Sequence, residues 1–198
     1  MSNQQQKLST FAQVRGLSKV QGVGFCATLL QRQIANFSLF CELCDWDGDA
    51  QMQKALAQLW LAYDALVAKR KITTNFALLK DKVEEASPDP QAFDNFGVYP
   101  AVDCAMAMVA ALSLVSGDDE QGAVAVSKLS QGSVEAVILA TEGELDNVAI
   151  KQHPLMQREV DFQQALLDRL TQSLPAADEL RDLALVDNAT NIGVSLED

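Results

Sequence analysis

Cys41-Glu42-Leu43-Cys44 is the first grouping whose residue types could do chemistry, because two thiols at this spacing can form a redox couple or half of a zinc site. A structural zinc wants four ligands, and a redox pair wants a strand-helix-strand setting. No second cysteine pair follows, and the single histidine, His153, lies far along the chain. Both cysteines continue an apolar stripe where small hydrophobes belong, so we read them as buried thiols carrying no metal. Asp45-Trp46-Asp47-Gly48-Asp49 has the acidic spacing of a calcium loop. Counted from Asp45, however, Gly48 falls at position 4 and Leu56 at position 12, where an EF-hand needs Gly at 6 and Glu at 12. These carboxylates are expected to form a turn and to cap a helix beginning near Ala50. Gly22-Val23-Gly24-Phe25-Cys26-Ala27 fits a dinucleotide fingerprint on paper. That motif works only between a strand and a helix, and Leu17 to Val20 is a poor strand. His153 stands before Pro154 at a helix start and is read as a cap. We expect no cofactor and no metal.

Asp103 is the residue most in need of an explanation. It sits one turn into the most apolar stretch of the chain, and a buried carboxylate is costly unless it is paired or neutralised. One reading is structural: favourable placement near a helix N-terminus with a cation such as Lys128 or Arg32 as partner. The other is a polar anchor in a small pocket, with Tyr99 and Asp94 nearby in sequence. Asp94, Tyr99 and Asp103 are therefore the candidate pocket residues, and no catalytic residue is assigned.

The elements that must position these groups read as helices. Val23, Ala27, Leu30, Ile34, Phe37, Cys41 and Cys44 recur at alternating spacings of four and three, which keeps one stripe facing a core. Asn36 is a candidate bend within it. Met52, Leu56, Leu59, Tyr63 and Leu66 form a second stripe, widened by Trp60 and Val67 and closed by Lys69-Arg70-Lys71. A shorter helix is expected from Asn75 to Glu85, then a loop from Ser87 to Val98. Pro100 then opens a central apolar helix that Ser116-Gly117 ends. The next helix reaches about Thr141 and carries Val126, Leu129, Ser133, Val137 and Ala140. Its small residues Gly122, Ser130, Gly132 and Ser133 predict a close neighbour. Two more helices run from Pro154 to Ser173 and from Pro175 to Asn188. In the closing segment Ile192, Val194 and Leu196 alternate with Gly193, Ser195 and Glu197, the period of an extended tail with one apolar side. We expect Thr190 to Val194 to dock and Glu197 and Asp198 to be looser. The fold class is all-α: a single-domain antiparallel bundle of about seven helices over 1–198, with 1–7 polar and frayed and 190–198 an extended tail.

Charge limits the partners. The chain has 198 residues, 27 of them acidic and 15 basic, for a formal net charge of -12. Such a surface repels phosphate backbones and anionic lipid, so neither nucleic acid nor membrane is expected as a partner. The imbalance is uneven. Residues 1–82 hold ten basic and six acidic side chains, while 83–198 hold five basic and 21 acidic. Such halves could attract each other or a second copy. The polar start lacks the apolar run of a signal peptide, and Val98 to Val115, interrupted by Asp103, reads as a core helix rather than a span. The cytoplasm is the expected compartment, with reduced thiols.

The segment Phe96-Gly97-Val98-Tyr99-Pro100-Ala101-Val102-Asp103 resembles the signature stretch of the YjaG family, bacterial proteins grouped as a domain of unknown function. Phe25 through Phe40-Cys41, the surroundings of Val126-Ser127-Lys128, and Thr190-Asn191-Ile192-Gly193-Val194 are similar to it as well. Cys44 stands outside that pattern. The resemblance implies an all-helical, bundle-like fold in the bacterial cytoplasm and transfers no reaction. The leading expectation is a non-catalytic helical protein that binds a protein partner or itself. The alternative is an enzyme or small-ligand binder using Asp94, Tyr99 and Asp103, and a third is a metal protein through Cys41 and Cys44.

Overall fold

The computed structural model describes residues 8–196, so the expectations for 1–7 and for Glu197 and Asp198 lie outside it. Among the described residues are nine α-helices: α1 (Thr10–Arg15), α2 (Lys19–Cys44), α3 (Asp49–Val67), α4 (Phe76–Ala86), α5 (Val98–Ser116), α6 (Gly122–Glu142), α7 (Asn147–Gln152), α8 (Pro154–Gln172) and α9 (Ala177–Ala184). A single 3-10 turn, Pro90–Ala92, interrupts the loop before α5. Seven of the helices have eight residues or more, which matches the expected all-α bundle.

Helix α2 begins at a capping box between Ser18 and Gln21, and runs unbroken through Asn36 to a left-handed Asp45 at φ 52°. Its predicted stripe from Val23 to Cys41 is buried, but so are Phe25, Cys26, Leu29 and Phe40 on other faces. A helix apolar nearly all round belongs at a centre, and α2 packs against α3, α5, α6, α8 and α9. Each large apolar side chain buried there, such as Phe25 or Leu30, contributes about 1.5–3 kcal/mol. Gly24 belongs to this packing and not to a nucleotide loop. A Cβ there would stand 2.7 Å from the Tyr63 ring of α3, so only glycine lets the two helices approach this closely.

Helix α5 shares the centre, against α2, α3, α4 and α6. Pro100 occupies its third position, not its first, which is still inside the first turn where an N–H has no helical partner. Gly117 ends it at φ 88°, donating to the Ser113 carbonyl. Helices α5 and α6 are long and apolar enough to cross a membrane by composition. Most of α5 is covered by its neighbours in the fold, as expected of a core helix.

The sequence pattern caught α6 only in part. Val126 and Ser133 are buried as expected, together with Ala123, Ser127, Ser130, Val134 and Ile138, while Leu129 and Val137 are only half-buried and Ala140 is exposed. The reason is that serines fill core positions there, as described below. The closing segment also departs from its expected shape. It turns back on itself at Gly193 (φ 85°), with a bridge between Ala189 and Ser195, instead of running extended. The alternation survives within that turn: Ile192, Val194 and Leu196 are half-buried, and Gly193 and Ser195 exposed.

Candidate functional site

Tyr99 and Asp103 stand one turn apart on α5 and line a shallow groove of about 530 Å³ with Phe96, Lys128 and Gly132. Asp94 does not join them; it is exposed in the preceding loop and lines no groove there. The expected cation partners are not found either. Asp103 Oδ2 accepts a 2.6 Å hydrogen bond from Ser133 Oγ, and burial pushes its carboxyl above the usual range against the opposing effect of that bond. Among the described residues no Lys or Arg lies within ion-pair distance of it. Lys128 holds its ammonium 5.8 Å from the Phe11 ring, and Arg32 is engaged elsewhere.

Phe96 is a wall shared with a second, more apolar groove of about 630 Å³. Its sides are Leu39 and Leu43 at the end of α2, Val137 and Thr141 of α6, and Ile192 and Val194 of the C-terminal turn. Leu39, Leu43, Phe96 and Tyr99 are 37%, 65%, 38% and 51% exposed. Four large apolar side chains left this open around adjoining grooves form a contiguous patch of the kind that marks interaction surfaces.

Behind this face lies a buried polar network that the sequence reading missed. The Arg32 guanidinium is fully buried and makes two bonds to Asp187, at 3.0 and 3.3 Å, while stacking 4.0 Å over the Phe162 ring. Arg158 reaches the same carboxylate at 2.7 Å. Glu159 is fully buried. Its Oε1 accepts from Ser130 Oγ at 2.6 Å and from Gln163 Nε2 at 2.7 Å, while its Oε2 has no partner among the described residues. Gln163 Oε1 accepts from Ser127 Oγ at 2.6 Å. Asn191 of the C-terminal turn donates to the Ser130 carbonyl at 3.2 Å and accepts from Asn36 Nδ2 at 2.9 Å. One signal could have revealed it. Met156, Glu159, Gln163, Leu166 and Leu170 keep spacings of three and four, so two polar residues occupy core positions of α8.

The other motifs resolve into structure. Cys41 is buried, Cys44 only half-buried, and all four cysteines are free thiols. Among the described residues no three His, Cys, Asp or Glu side chains converge to hold a metal. The acidic turn does not cap α3 as expected: Gly48 is the N-cap, without a side-chain cap bond, pressed against the Ala86 carbonyl where a Cβ would stand at 2.8 Å. Asp49 opens the helix and accepts from Ser38 Oγ at 2.5 Å. His153 caps α8 through Nδ1, which accepts from the Leu155 N–H, while Nε2 meets Glu142 at 2.8 Å.

Residues 9–195 match the model of the family described as a protein of unknown function, DUF416. "Uncharacterized protein YjaG" of Escherichia coli (strain K12) is 32% identical over 172 residues, covering 86% of this chain and 83% of that one. An "Uncharacterized protein" of Haemophilus influenzae is 28% identical over 176 residues, or 87% and 85% of the two chains. The crystal structure of a DUF416 family protein from Shewanella baltica OS155 superposes with a TM-score of 0.85 at 28% identity, covering 96% of this chain and all of that one.

Proposed function

This chain belongs to the DUF416 family of proteins of unknown function, and from that membership and the geometry above we propose that it acts by binding a protein partner rather than by turning over a substrate. The observation that carries the reading is the patch of Leu39, Leu43, Phe96 and Tyr99 around two adjoining grooves. Such side chains cost a protein solubility unless they serve a contact. The ligand-binding alternative keeps one feature, the Asp103 carboxyl at a groove wall. Among the described residues its hydroxyl partner, Ser133, has no basic side chain bonded to it, and the one histidine is committed to capping α8. Asp103 therefore reads as part of a binding surface.

A photo-reactive amino acid placed at Leu43 in the full chain, expressed in bacterial cells, tests the reading. We expect a discrete heavier species on irradiation, resolved by mass spectrometry as a defined protein or as the chain's own dimer. The same probe at Leu61, which is exposed on α3 and lines neither groove, should give none. Equal labelling at both positions would overturn it.

A further inference from the structure

The partner's chemistry follows from what surrounds the larger groove. Four chain segments supply its walls, and exposed carboxylates flank three of them. The cation nearest the fourth, Arg158 beside Gly193, is held by Asp187. Glu42, Asp94 and Glu142 are each one position from a lining residue, and all three are exposed. Of these, Glu142 already meets His153. The groove itself is lined mainly by aliphatic and aromatic carbon, with Asn36, Asn95 and Thr141 as polar interruptions. Across Phe96, Asp103 has a hydroxyl on one oxygen and, among the described residues, no cation within ion-pair distance. Lys128 lines that second groove too, at its far side from the apolar walls of the first.

We propose that the paired grooves hold a cationic amphipathic segment of another protein, its apolar side chains between Leu39, Leu43 and Ile192 and a Lys or Arg directed across Phe96 toward Asp103. This rests on the partner-binding reading above and adds the partner's class to it. An amphipathic helix laid in an apolar groove is a recurrent recognition mode, with anchors at three- and four-residue spacing. An acidic field around such a groove draws in a basic segment and repels acidic ones. A second copy fits less well: only its residues 1–82 carry a basic excess, on a chain whose net charge is -12.

Binding of three fluorescent helical peptides to the full chain, read by polarisation, tests this. One alternates Leu and Lys at helical spacing; the second replaces each Lys with Glu; the third replaces each Leu with Ser. The Leu–Lys peptide should bind, the Leu–Glu peptide should not, and the Ser–Lys peptide should be weaker by about tenfold or more. Replacing both exposed leucines, Leu39→Ser with Leu43→Ser, should weaken the Leu–Lys peptide about tenfold without unfolding the chain, checked by circular dichroism. Asp103→Asn should weaken it about threefold, and that difference should shrink at high salt. Equal binding of the Leu–Lys and Ser–Lys peptides, or full retention in the double variant, would overturn the proposal. A dimer in sedimentation that Leu43→Ser dissolves would overturn it too, by making a second copy the occupant. If the photo-probe at Leu43 captures a partner while no peptide binds, the cationic assignment fails and the partner-binding reading stands. If both experiments are blank, both fall.

Discussion

Two carboxylates titrate in opposite directions around the buried Arg32 guanidinium. Burial pushes Asp187 up, but the hydrogen bonds and charges of Arg32 and Arg158 outweigh it and hold its carboxyl below the usual range. Burial also pushes Glu159 up, and here it wins over the bonds from Ser130 and Gln163 and the attraction of Arg32 and Arg158. The consequences for stability have opposite signs. A raised carboxyl binds its proton more tightly folded than unfolded. Its contribution is therefore full below the unfolded value and lost as pH rises through the folded one. Glu159→Gln should then gain on the parent as pH rises from the ordinary carboxyl range through that higher value, and the gap should close at lower pH. Asp187→Asn should do the reverse, losing to the parent wherever Asp187 is ionised. Asp103, also raised, is common to parent and variants and cancels from the comparison. Urea unfolding across a pH series measures both gaps, and a Glu159→Gln gap independent of pH would contradict the assignment. Of this, the core spacing on α8 could have marked Glu159, but the pairing of Arg32 with Asp187 was not legible from residue types. Arg32 was a candidate partner of Asp103, and only the fold brings a residue at 187 to it.

At the scale of elements, what could be read was what repeats over several turns. The stripes of α2 and α3 and the apolar run of α5 were visible because large side chains recur at three and four residues through long helices. Helices α1 and α7 have six residues each, less than two turns, and show no such period. They stand on their caps: Ser9 accepts from the Ala12 N–H, and Asp146 from those of Val148 and Ala149. On α6, Ser130 lies against Glu159 as its small size predicted, whereas Ser127, outside the expected stripe, is buried against Gln163. Helix α5 offers a contrast within one element. Leu112 is fully buried, while Met106, six residues earlier, is 53% exposed. Leu112→Ala should cost about 2–5 kcal/mol in urea unfolding. Met106→Ala should lie within about 0.5 kcal/mol of the parent. Equal shifts would mean that the central position of α5 is misassigned.

Across the whole molecule, the C-terminal turn ties together helices far apart in sequence, and it does so through polar groups as much as apolar ones. The alternating pattern gave Ile192, Val194 and Leu196 as the reason for this segment to dock, yet Thr190 and Asn191 are the residues buried most completely. Ile192 does pack on the small cluster of Val134, Ile138, Ile150 and Met156, which also anchors α7. Asn191 meanwhile bonds Asn36 of α2 and the carbonyl of Ser130 in α6, across 155 and 61 residues of chain. Removing its side chain leaves a buried amide N–H and a buried carbonyl each short of a partner, which costs about 1–3 kcal/mol. Val194→Ala removes two methyl groups from a half-buried site at the groove wall and should cost about 1 kcal/mol or less. Asn191→Ala should therefore lower the urea midpoint more than Val194→Ala, and deletion of 190–198 should lower it at least as far as Asn191→Ala. The deletion also takes Ile192 and Val194 from the larger groove, so it should weaken the Leu–Lys peptide, whereas Asn191→Ala leaves both groove walls in place. If Val194→Ala is the more damaging substitution, the apolar side of the turn is what holds it and the polar tie between α2 and α6 is secondary.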